Sequence, residues 1–409
     1  MDCLGIDMDT VCFGSLYLIP SSNGVSRPSA VRGRGYKMIN MGELFAHNII
    51  RDIPMERVEL SPKERQKFLV QENDLLFARQ SLVAAGAGKC SIVKQLNEET
   101  TFESHLIRVR LDEQICNPLY YYYLFQLPYN PIKSIVNQCA QAGIRGKELS
   151  KVKVPLPKTK TQTRIASILS AYDDLIENNN KRIKILEKMA ENLYREWFVR
   201  FRFPGYEQTE FENGIPKGWQ ICRMSEFCYV TDGTHDTPTP VDVGVPLITG
   251  KCICSGTIDF SLAYNISHTA HEKIKKRSGL TSGDILFSNI GTVGNCCIVD
   301  YDREFSVKNV IIFKPETRNQ TEYLYYWMTN AAMQEIFSAQ TNGASQQFVG
   351  LTFMRNFKIL VPTEEILTAF ADKISIFTEH KRNLRKCNLN LTKQRDLLLP
   401  RLMSGKLEV

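Results

Sequence analysis

The stretch DILFSN at residues 284–289 decides the fold, because nearly the same letters, DLLFAR, already stand at residues 74–79. In both places an acidic residue precedes a short run of branched and aromatic side chains, which is typical of a half-buried β-strand. Two copies of one strand so far apart predict an internal duplication, which must be tested before any other fold assignment.

Further matches occur in the same order along both halves of the chain. Asn23-Gly24 ahead of YKMIN answers to Asp232-Gly233 ahead of VPLIT, and the tyrosine-rich YYYLF at 121–125 answers to LYYWM at 324–328. The remaining pairs are GKCSIV at 88–93 with GNCCIV at 294–299, HLIRVRL at 105–111 with NVIIFKP at 309–315, and LSKVKVPLP at 149–157 with MRNFKILVP at 354–362. The sequence therefore predicts two sister domains of mixed α/β class, each a twisted antiparallel sheet or barrel with helices packed on it.

A long helical pattern follows each domain. The first, over residues 165–198, has apolar side chains at alternating steps of three and four, which is a heptad seam, and Asn179 is its polar position. The second, over residues 366–402, repeats the pattern more loosely. We expect the two seams to pack against each other; alternatively, each buries its stripe on its own domain. The seam positions are Ile165, Ile168, Tyr172, Ile176, Asn179, Ile183, Leu186, Ala190, Leu193 and Trp197, then Phe370, Ile374, Phe377, Leu384, Leu391, Leu398 and Leu402.

Composition limits the class of protein. The 409 residues are 43% hydrophobic and 23% charged, as in a soluble globular protein, and no apolar stretch is long enough to span a membrane. We expect a cytoplasmic chain without a secretory signal. Its net charge of +7 permits a polyanionic partner. The 12 cysteines lack the paired spacing of a zinc site, so we predict no metal.

Loops of both copies carry side chains suited to reading DNA, because Arg, Lys, Asn and Gln can reach base edges while hydroxyls fix phosphates. For any single residue the alternative is a solvated loop. The candidates in the first copy are Ser26, Arg27, Arg32, Arg34, Lys37, Arg79, Gln80, Lys89, Arg145 and Lys147. Those in the second are Thr234, His235, Asp236, Thr237, Lys251, Asn289, Ser345, Gln346 and Gln347. The loops differ where the frameworks agree, as two different half-sites would require.

Motifs for catalysis are weak. Asn117-Pro118-Leu119-Tyr120 approaches the loop that holds the target base in DNA adenine methyltransferases, but its third position is leucine and no glycine-rich segment for the methyl donor accompanies it. A helix-starting Asn-Pro turn is the better interpretation. GAGKCS at 86–91 has Val83 and Cys90 where a P-loop needs glycine and a hydroxyl residue.

Four segments in this order resemble the specificity subunits of Type I restriction and modification systems. They are VPLPKTKTQTRIASILSAYDDLIENNNKRIKILEKMAENLYREWF at 154–198, NGIPKGW at 213–219, SGDILFSNIGTVG at 282–294 and LLLPRLMSGKLEV at 397–409. The resemblance implies two target-recognition domains that each read half of a split DNA site, related by a pseudo-twofold, with two long antiparallel coiled-coil helices between them. One departure is that the first copy has no equivalent of GIPKGW, since nothing near Thr10 matches Trp219.

The family resemblance also implies the partners: double-stranded DNA, two methyltransferase (modification) subunits, and restriction/translocase subunits. It implies no cofactor in this chain, with S-adenosylmethionine and ATP/Mg on the partner subunits. We assign target-recognition domains to residues 1–160 and 203–363, a central helix to 161–202 and a C-terminal helix to 364–409. A helix of roughly 33 residues spans about 50 Å, so it would hold the domains roughly ten to fifteen base pairs apart along a duplex. The alternatives are a stand-alone DNA adenine methyltransferase using Asn117–Tyr120, or a silent specificity cassette with impaired first half-site binding.

Overall fold

A computed structural model describes residues 9–28, 31–81, 86–136, 142–254, 256–341 and 348–409. The chain divides into two compact units. Unit 1 takes in the described residues of Met1–Asn179 together with Lys386–Val409, and unit 2 those of Asn180–Arg385. In the described ranges no helix is both long and apolar enough to cross a membrane.

Unit 1 contains twelve short strands and four short helices among its described residues, and a long helix begins in it. The strands are β1 (Thr10–Cys12), β2 (Tyr17–Asn23), β3 (Arg32–Ile39), β4 (Ile49–Ile50), β5 (Glu56–Val58), β6 (Leu75–Ala78), β7 (Gln80–Ser81), β8 (Cys90–Val93), β9 (Thr100–Phe102), β10 (Leu106–Leu111), β11 (Ala142–Gly143) and β12 (Lys153–Pro155). The helices are α1 (Met41–Ala46), α2 (Pro62–Phe68), α3 (Pro118–Gln126), α4 (Gly146–Leu149) and the long α5 (Thr159–Tyr194).

The strands of unit 1 form two main sheets. One has the order β2-β10-β6-β8-β4 and the other the order β5-β3-β9, while β1 pairs with β12 and β7 with β11. Most neighbours are antiparallel, but β3 with β9 and β4 with β8 are parallel.

Unit 2 is built from a second set of elements. Its strands are β13 (Phe211–Glu212), β14 (Ile215–Pro216), β15 (Gln220–Arg223), β16 (Tyr229–Asp232), β17 (Val245–Thr249), β18 (Ile253–Cys254), β19 (Thr257–Ile258), β20 (Tyr264–Ile266), β21 (Ile285–Phe287), β22 (Cys296–Ile298), β23 (Ser306–Lys308), β24 (Ile311–Lys314) and β25 (Lys358–Val361). Its helices are α6 (Met224–Phe227), α7 (His268–Ser278), α8 (Arg318–Thr329), α9 (Ala331–Thr341), α10 (Leu351–Asn356) and the first part of the long α11 (Glu364–Met403), whose residues from Lys386 onward belong to unit 1.

The topology of unit 2 repeats that of unit 1. The order β16-β24-β21-β22 matches β2-β10-β6-β8, the order β20-β17-β23 matches β5-β3-β9, and β15 pairs with β25 as β1 does with β12. The first domain therefore has β1 as the counterpart of β15, although the residues near Thr10 differ from those after Trp219. The mixed α/β class and the tandem domains are confirmed.

The expected antiparallel sheet or barrel needs a correction. Among the described strands every sheet is open, and each three-stranded sheet contains one parallel pair, β3 with β9 or β17 with β23. Parallel strands need a long crossover connection, so this pairing joins segments too distant in sequence for a hairpin pattern to reveal.

The duplicated strands β6 and β21 lie in the middle of their sheets, and each of their residues is buried. Leu75 and Phe77 pack with the tyrosines of α3, whereas Leu76 and Ala78 pack with Ile39 and Phe102 on the other face. The prediction of a half-buried strand was wrong, because both faces of the sheet are covered.

The acidic residue ahead of each duplicated strand is buried and charge-paired. The Asp74 carboxylate accepts the Gln71 backbone N–H at 2.8 Å and two bonds of 2.7 Å from the Arg110 guanidinium. The Asp284 carboxylate likewise accepts the Thr281 backbone N–H at 2.9 Å and pairs with Lys314. One carboxylate thus closes the turn and ties its strand to the neighbouring strand.

The duplicated glycines mark a close approach of two backbones. A Cβ on Gly24 would lie 1.9 Å from the carbonyl oxygen of Phe102, and one on Gly233 would lie 2.4 Å from that of Val307. Any larger residue would push the chain away from the backbone of β9 or β23, which explains why both copies keep glycine there.

Helices α5 and α11 pair within unit 1. The Asn179 side-chain amide donates to the Asn388 side-chain oxygen at 2.8 Å, and Asp173, earlier in α5, pairs with Arg395, later in α11. The two helices therefore run antiparallel here. Ile165, Leu402 and Met403 join the core of the unit, so the outer ends of the helices bury on the sheet domain as well.

Helices α5 and α11 are also antiparallel within unit 2. Glu187 pairs with Arg385 at 3.3 Å. Tyr194, at the end of α5, and Trp197, in the turn just after it, contact the ring of Phe370, earlier in α11. All of the predicted seam positions are buried or partly buried. Both alternatives weighed from the sequence thus contribute, since the seam residues pack on the partner helix and on the domain.

Candidate DNA-binding surfaces

One end of the main sheet in unit 1 collects the loops that carry most of the predicted DNA-reading residues. Strand β10 starts at this end, where Leu106 pairs with Ala78 and Ile107 pairs with Asn23. The segments after Asn23 and after Ala78 consequently leave the sheet side by side. We call this edge the loop end of unit 1.

Unit 2 has the same arrangement. Ile311, the first residue of β24, lies between Asp232 at the end of β16 and Phe287 at the end of β21. The segments after Asp232 and after Phe287 form the loop end of unit 2. The repeated topology therefore presents different loops from the same position in each unit.

Each arginine of the first glycine-rich segment forms an ion pair with a glutamate. The Arg27 guanidinium donates to both carboxylate oxygens of Glu64, at 2.7 and 2.8 Å, and Arg32 donates to the Arg27 carbonyl oxygen and pairs with Glu56. Arg34 pairs with Glu59 at 2.9 Å but remains exposed. Ser26 is exposed.

Carboxylates that pair with the cations of this region have a lowered pKa. Hydrogen bonds from the Ser61 backbone, from Arg27 and from the Ser61 hydroxyl lower the pKa of Glu64 from its ordinary 4.5 to about 2. Hydrogen bonding to Lys37 lowers the pKa of Asp52, and the bonds that Lys37 makes to Asp52 and Glu98 raise its own pKa. The charges of Lys37 and Arg27 are therefore partly balanced by neighbouring carboxylates.

A second group of candidates gathers on a short ribbon, formed where β7 pairs with β11. The Ile144 backbone N–H donates to the Arg79 carbonyl oxygen at 2.9 Å, which places Arg145 beside Arg79. Arg145 and Lys147 are exposed, and within the described part of the chain neither has an ion-pair partner. Gln80 contacts His105 at 3.1 Å.

Lys89 also lies at the loop end of unit 1, because the backbone N–H of Ala78, at the end of β6, donates to the Lys89 carbonyl oxygen at 2.9 Å. Its ammonium donates to the Phe45 carbonyl oxygen at 2.6 Å and lies 5.3 Å from the Phe45 ring centre. Burial lowers its pKa.

The loop after Asp232 in unit 2 is polar rather than cationic. His235 contacts Asn309 at 2.9 Å and Asp232 at 2.8 Å, and Arg277 also pairs with Asp232. Thr234 is buried, and its hydroxyl accepts the Asp236 backbone N–H at 3.1 Å. Asp236 is exposed, and the Thr237 hydroxyl accepts a hydrogen bond from the Lys308 ammonium.

The other candidates of unit 2 lie after β17 and β21. Lys251 is exposed, and no ion-pair partner of it occurs in the described ranges. Asn289 is 9% exposed and donates to the Val349 carbonyl oxygen at 3.2 Å, while its own side-chain oxygen has no partner among described residues. Ser345, Gln346 and Gln347 lie outside the described residues.

Sequence reasoning missed two exposed apolar residues at the loop end of unit 2. Ile290 forms an antiparallel bridge with Phe348, and their exposed fractions are 42% and 54%. They are not polar base readers, and the only sequence signal was the position of Ile290 next to Asn289.

The Asn-Pro segment is a helix start in the structure. The Asn117 side-chain oxygen accepts the backbone N–H groups of Leu119 and Tyr120, at 2.9 and 3.3 Å, and thereby caps α3. Tyr120 is fully buried. A cap of this kind occupies the asparagine oxygen with the backbone, and a buried tyrosine is not available to stack on an extruded base.

Comparison with known proteins gives a consistent result. The model of the family described as Type I restriction modification DNA specificity domain matches residues 32–188 and 216–391. The Type I restriction enzyme MjaIX specificity subunit of Methanocaldococcus jannaschii is 27% identical over 335 residues, covering 80% of this chain and 76% of that protein. The MjaVIII specificity subunit of the same organism is 23% identical over 376 residues, covering 88% and 84%.

A solved structure shares the fold. The crystal structure of a Type-I restriction-modification system S subunit from M. genitalium superposes with a TM-score of 0.56 at 14% identity, covering 97% of this chain and 96% of that one. The matched residues include the segment after Ala78 in unit 1, both loop-end segments of unit 2, most of α5 and the first part of α11. The chain therefore belongs to the family of Type I restriction modification DNA specificity domain proteins.

Proposed function

We propose that this chain is the non-catalytic DNA-specificity subunit of a Type I restriction-modification complex, and that each unit reads one half of a split DNA sequence. The observation that carries this proposal is that two units of the same topology present chemically different loop ends. A common scaffold with unlike loops is what two unlike half-sites require.

The loop end of unit 1 favours phosphates and guanine. Arg79, Arg145 and Lys147 supply cations there, and arginine is the usual partner of the O6 and N7 acceptors of guanine. The loop end of unit 2 instead offers an imidazole, an amide and hydroxyls, with Lys251 nearby. We therefore expect two half-sites of different sequence.

Helices α5 and α11 are the proposed spacer and the proposed seat of the methyltransferase subunits. Large apolar residues remain exposed on them: Leu175, Leu389 and Leu397 in unit 1, and Ile185, Met189 and Ile376 in unit 2. Exposed apolar positions on a helix that also pairs through a seam are typical of a second contact surface. S-adenosylmethionine, ATP and Mg²⁺ belong to the partner subunits in this proposal, and the complex works on DNA in the cytoplasm together with restriction/translocase subunits.

The test is to express the chain with its modification subunit in a host that lacks other adenine methylation and to map the methylated adenines. The proposal predicts one motif made of two defined elements separated by undefined bases. A contiguous motif, methylation at random adenines, or methyl transfer by the isolated chain would reject it. Methylation that requires only one defined element would indicate a cassette with one inactive unit.

A further inference from the structure

The short ribbon at the loop end of unit 1 has a counterpart in unit 2. In unit 1 the Ile144 backbone N–H donates to the Arg79 carbonyl oxygen at 2.9 Å, and Gln80 is the bridge partner of Gly143. In unit 2 the Val349 N–H donates to the Asn289 carbonyl oxygen, also at 2.9 Å.

Ile290 and Phe348 are consequently the bridge partners that correspond to Gln80 and Gly143. This equivalence rests on backbone hydrogen bonds and does not depend on any alignment of letters.

The chemistry of the equivalent pair differs completely between the units. In unit 1 a polar side chain, Gln80, stands opposite a residue without a side chain, Gly143. In unit 2 a branched aliphatic side chain, Ile290, stands opposite an aromatic ring, Phe348. The ribbon of unit 1 can exchange hydrogen bonds with a ligand, whereas the outer surface of this pair in unit 2 can make only apolar contacts.

The apolar pair faces solvent although its position favours close packing. Its bonding pattern is that of a non-hydrogen-bonded pair, in which two side chains on the same face of a ribbon approach most closely. Both nevertheless remain about half exposed, at 42% for Ile290 and 54% for Phe348. Two adjacent large apolar residues therefore leave surface uncovered beside Asn289 and Lys251.

The surroundings of the pair indicate what covers it. A Cβ on Gly250 would lie 2.6 Å from the Ser288 hydroxyl and 3.3 Å from the Ile290 carbonyl oxygen, so the turn that carries exposed Lys251 runs against this ribbon. An exposed cation beside a small apolar patch matches the DNA major groove. There the apolar group that a base displays is the C5-methyl of thymine, while phosphates lie at the rim.

We propose that Ile290 and Phe348 read a thymine methyl group in the half-site of unit 2, whereas Gln80 gives unit 1 a hydrogen-bonding contact at the equivalent position. This inference rests on the proposed function, because it requires that the loop end of unit 2 enters a DNA groove.

The experiment uses the full chain assembled with its modification subunit and a duplex carrying its mapped site. Each thymine of the site is replaced in turn by deoxyuridine, which lacks only the C5-methyl and keeps the same pairing. We expect one position in one half-site at which the replacement weakens binding about fourfold, the value of one buried methyl group. The variants Phe348→Ala and Ile290→Ala should bind the thymine duplex more weakly and lose the difference at that position.

Two controls keep the result interpretable. Phe348→Leu retains an apolar side chain and should keep discrimination between thymine and deoxyuridine. Gln80→Ala, at the equivalent position of unit 1, should leave that discrimination unchanged. Because Ile290 and Phe348 are half exposed, we expect all of these variants to fold, and unchanged thermal unfolding verifies it.

Several outcomes would overturn the inference while leaving the proposed function intact. One is that no deoxyuridine replacement weakens binding in either half-site. Another is that the alanine variants still distinguish thymine from deoxyuridine as wild type does. A third is that Phe348→Ala loses the same affinity for the thymine duplex and the deoxyuridine duplex. The last result would identify a wedge between base steps instead. Binding without any sequence preference would instead reject the proposed function itself.

Discussion

Inside the helix pair of unit 1, the side-chain amide of Asn179 donates a hydrogen bond of 2.8 Å to the side-chain oxygen of Asn388. Asn179 is only 8% exposed, so this is a polar contact in a largely apolar seam. Buried asparagines in such seams fix the register of two helices at a cost in stability.

We expect Asn179→Ala to lower the free energy of unfolding by about 1–2 kcal/mol, because it removes the bond and leaves the seam amide of Asn388 without this partner. The double variant Asn179→Leu, Asn388→Leu should recover that loss or exceed wild-type stability. Urea unfolding of wild type, Asn179→Leu, Asn388→Leu and the double variant measures the coupling. Asn178→Ala, on the exposed side of the same turn, is the control and should change little. Additive effects of the two seam positions would contradict a coupled pair.

The buried ion pair between Asp74 and Arg110 yields a second prediction. Asp74 has no exposed surface and Arg110 has 16%, so neutralising the aspartate leaves a cation that water hardly reaches. We expect Asp74→Asn to lower the free energy of unfolding by about 3–5 kcal/mol. Arg110→Lys should cost far less, because Lys314 makes the equivalent contact to Asp284 in unit 2. Denaturant unfolding of the two variants distinguishes them, and equal losses would contradict this explanation of the duplicated acidic residue.

Salt dependence separates residues that contact phosphate from residues that hold the loop. Arg145 is exposed and has no ion-pair partner in the described ranges, so in DNA complexes Arg145→Ala should reduce the slope of log K against log salt by about 1. Arg27→Ala removes a side chain already paired with Glu64 and should mainly reduce stability, by about 1 kcal/mol. Binding titrations at several salt concentrations provide the measurement. A larger change of slope for Arg27→Ala than for Arg145→Ala would contradict the assignment.

Glu64 should make the stability of unit 1 sensitive to acid. Its pKa falls from 4.5 in the unfolded chain to about 2 in the fold, so its contribution is complete above pH 4.5 and disappears as the pH falls toward 2. Wild type should therefore be more stable than Glu64→Gln at neutral pH, and the difference should shrink across that window. Thermal unfolding of both chains between pH 2 and 7 tests this. A difference that stays constant down to pH 2 would show that the carboxylate charge is not the cause.

Much of the fold was visible in the sequence because it depends on local periodicity. The duplication, the class of the domains and the helix seams all follow from patterns of apolar residues, and the Asn117 cap follows from an Asn-Pro pair next to a helical run. The parallel pairing of β3 with β9 was not visible, because nothing local connects Lys37 with Thr100.

The candidate site was less predictable for a physical reason. Sequence pointed to Arg27 and Lys37 as candidates for reading DNA. Their pairing with Glu64, Glu98 and Asp52, which are distant in the chain, was not visible there. It also passed over Ile290 and Phe348, because their importance arises from a bridge between segments far apart. Charge pairing and ribbon contacts depend on three-dimensional proximity, which periodicity does not encode.

The claim that each unit reads its own half of a split site is tested most directly by mapping methylated adenines for three chains, each with the same modification subunit. These are wild type, Arg79→Ala at the loop end of unit 1 and Asn289→Ala at the equivalent position of unit 2. Our account predicts a two-part motif in wild type, with Arg79→Ala relaxing bases in one part only and Asn289→Ala relaxing bases in the other part only. Relaxation of the same part by both variants, or of both parts by either one, would contradict it.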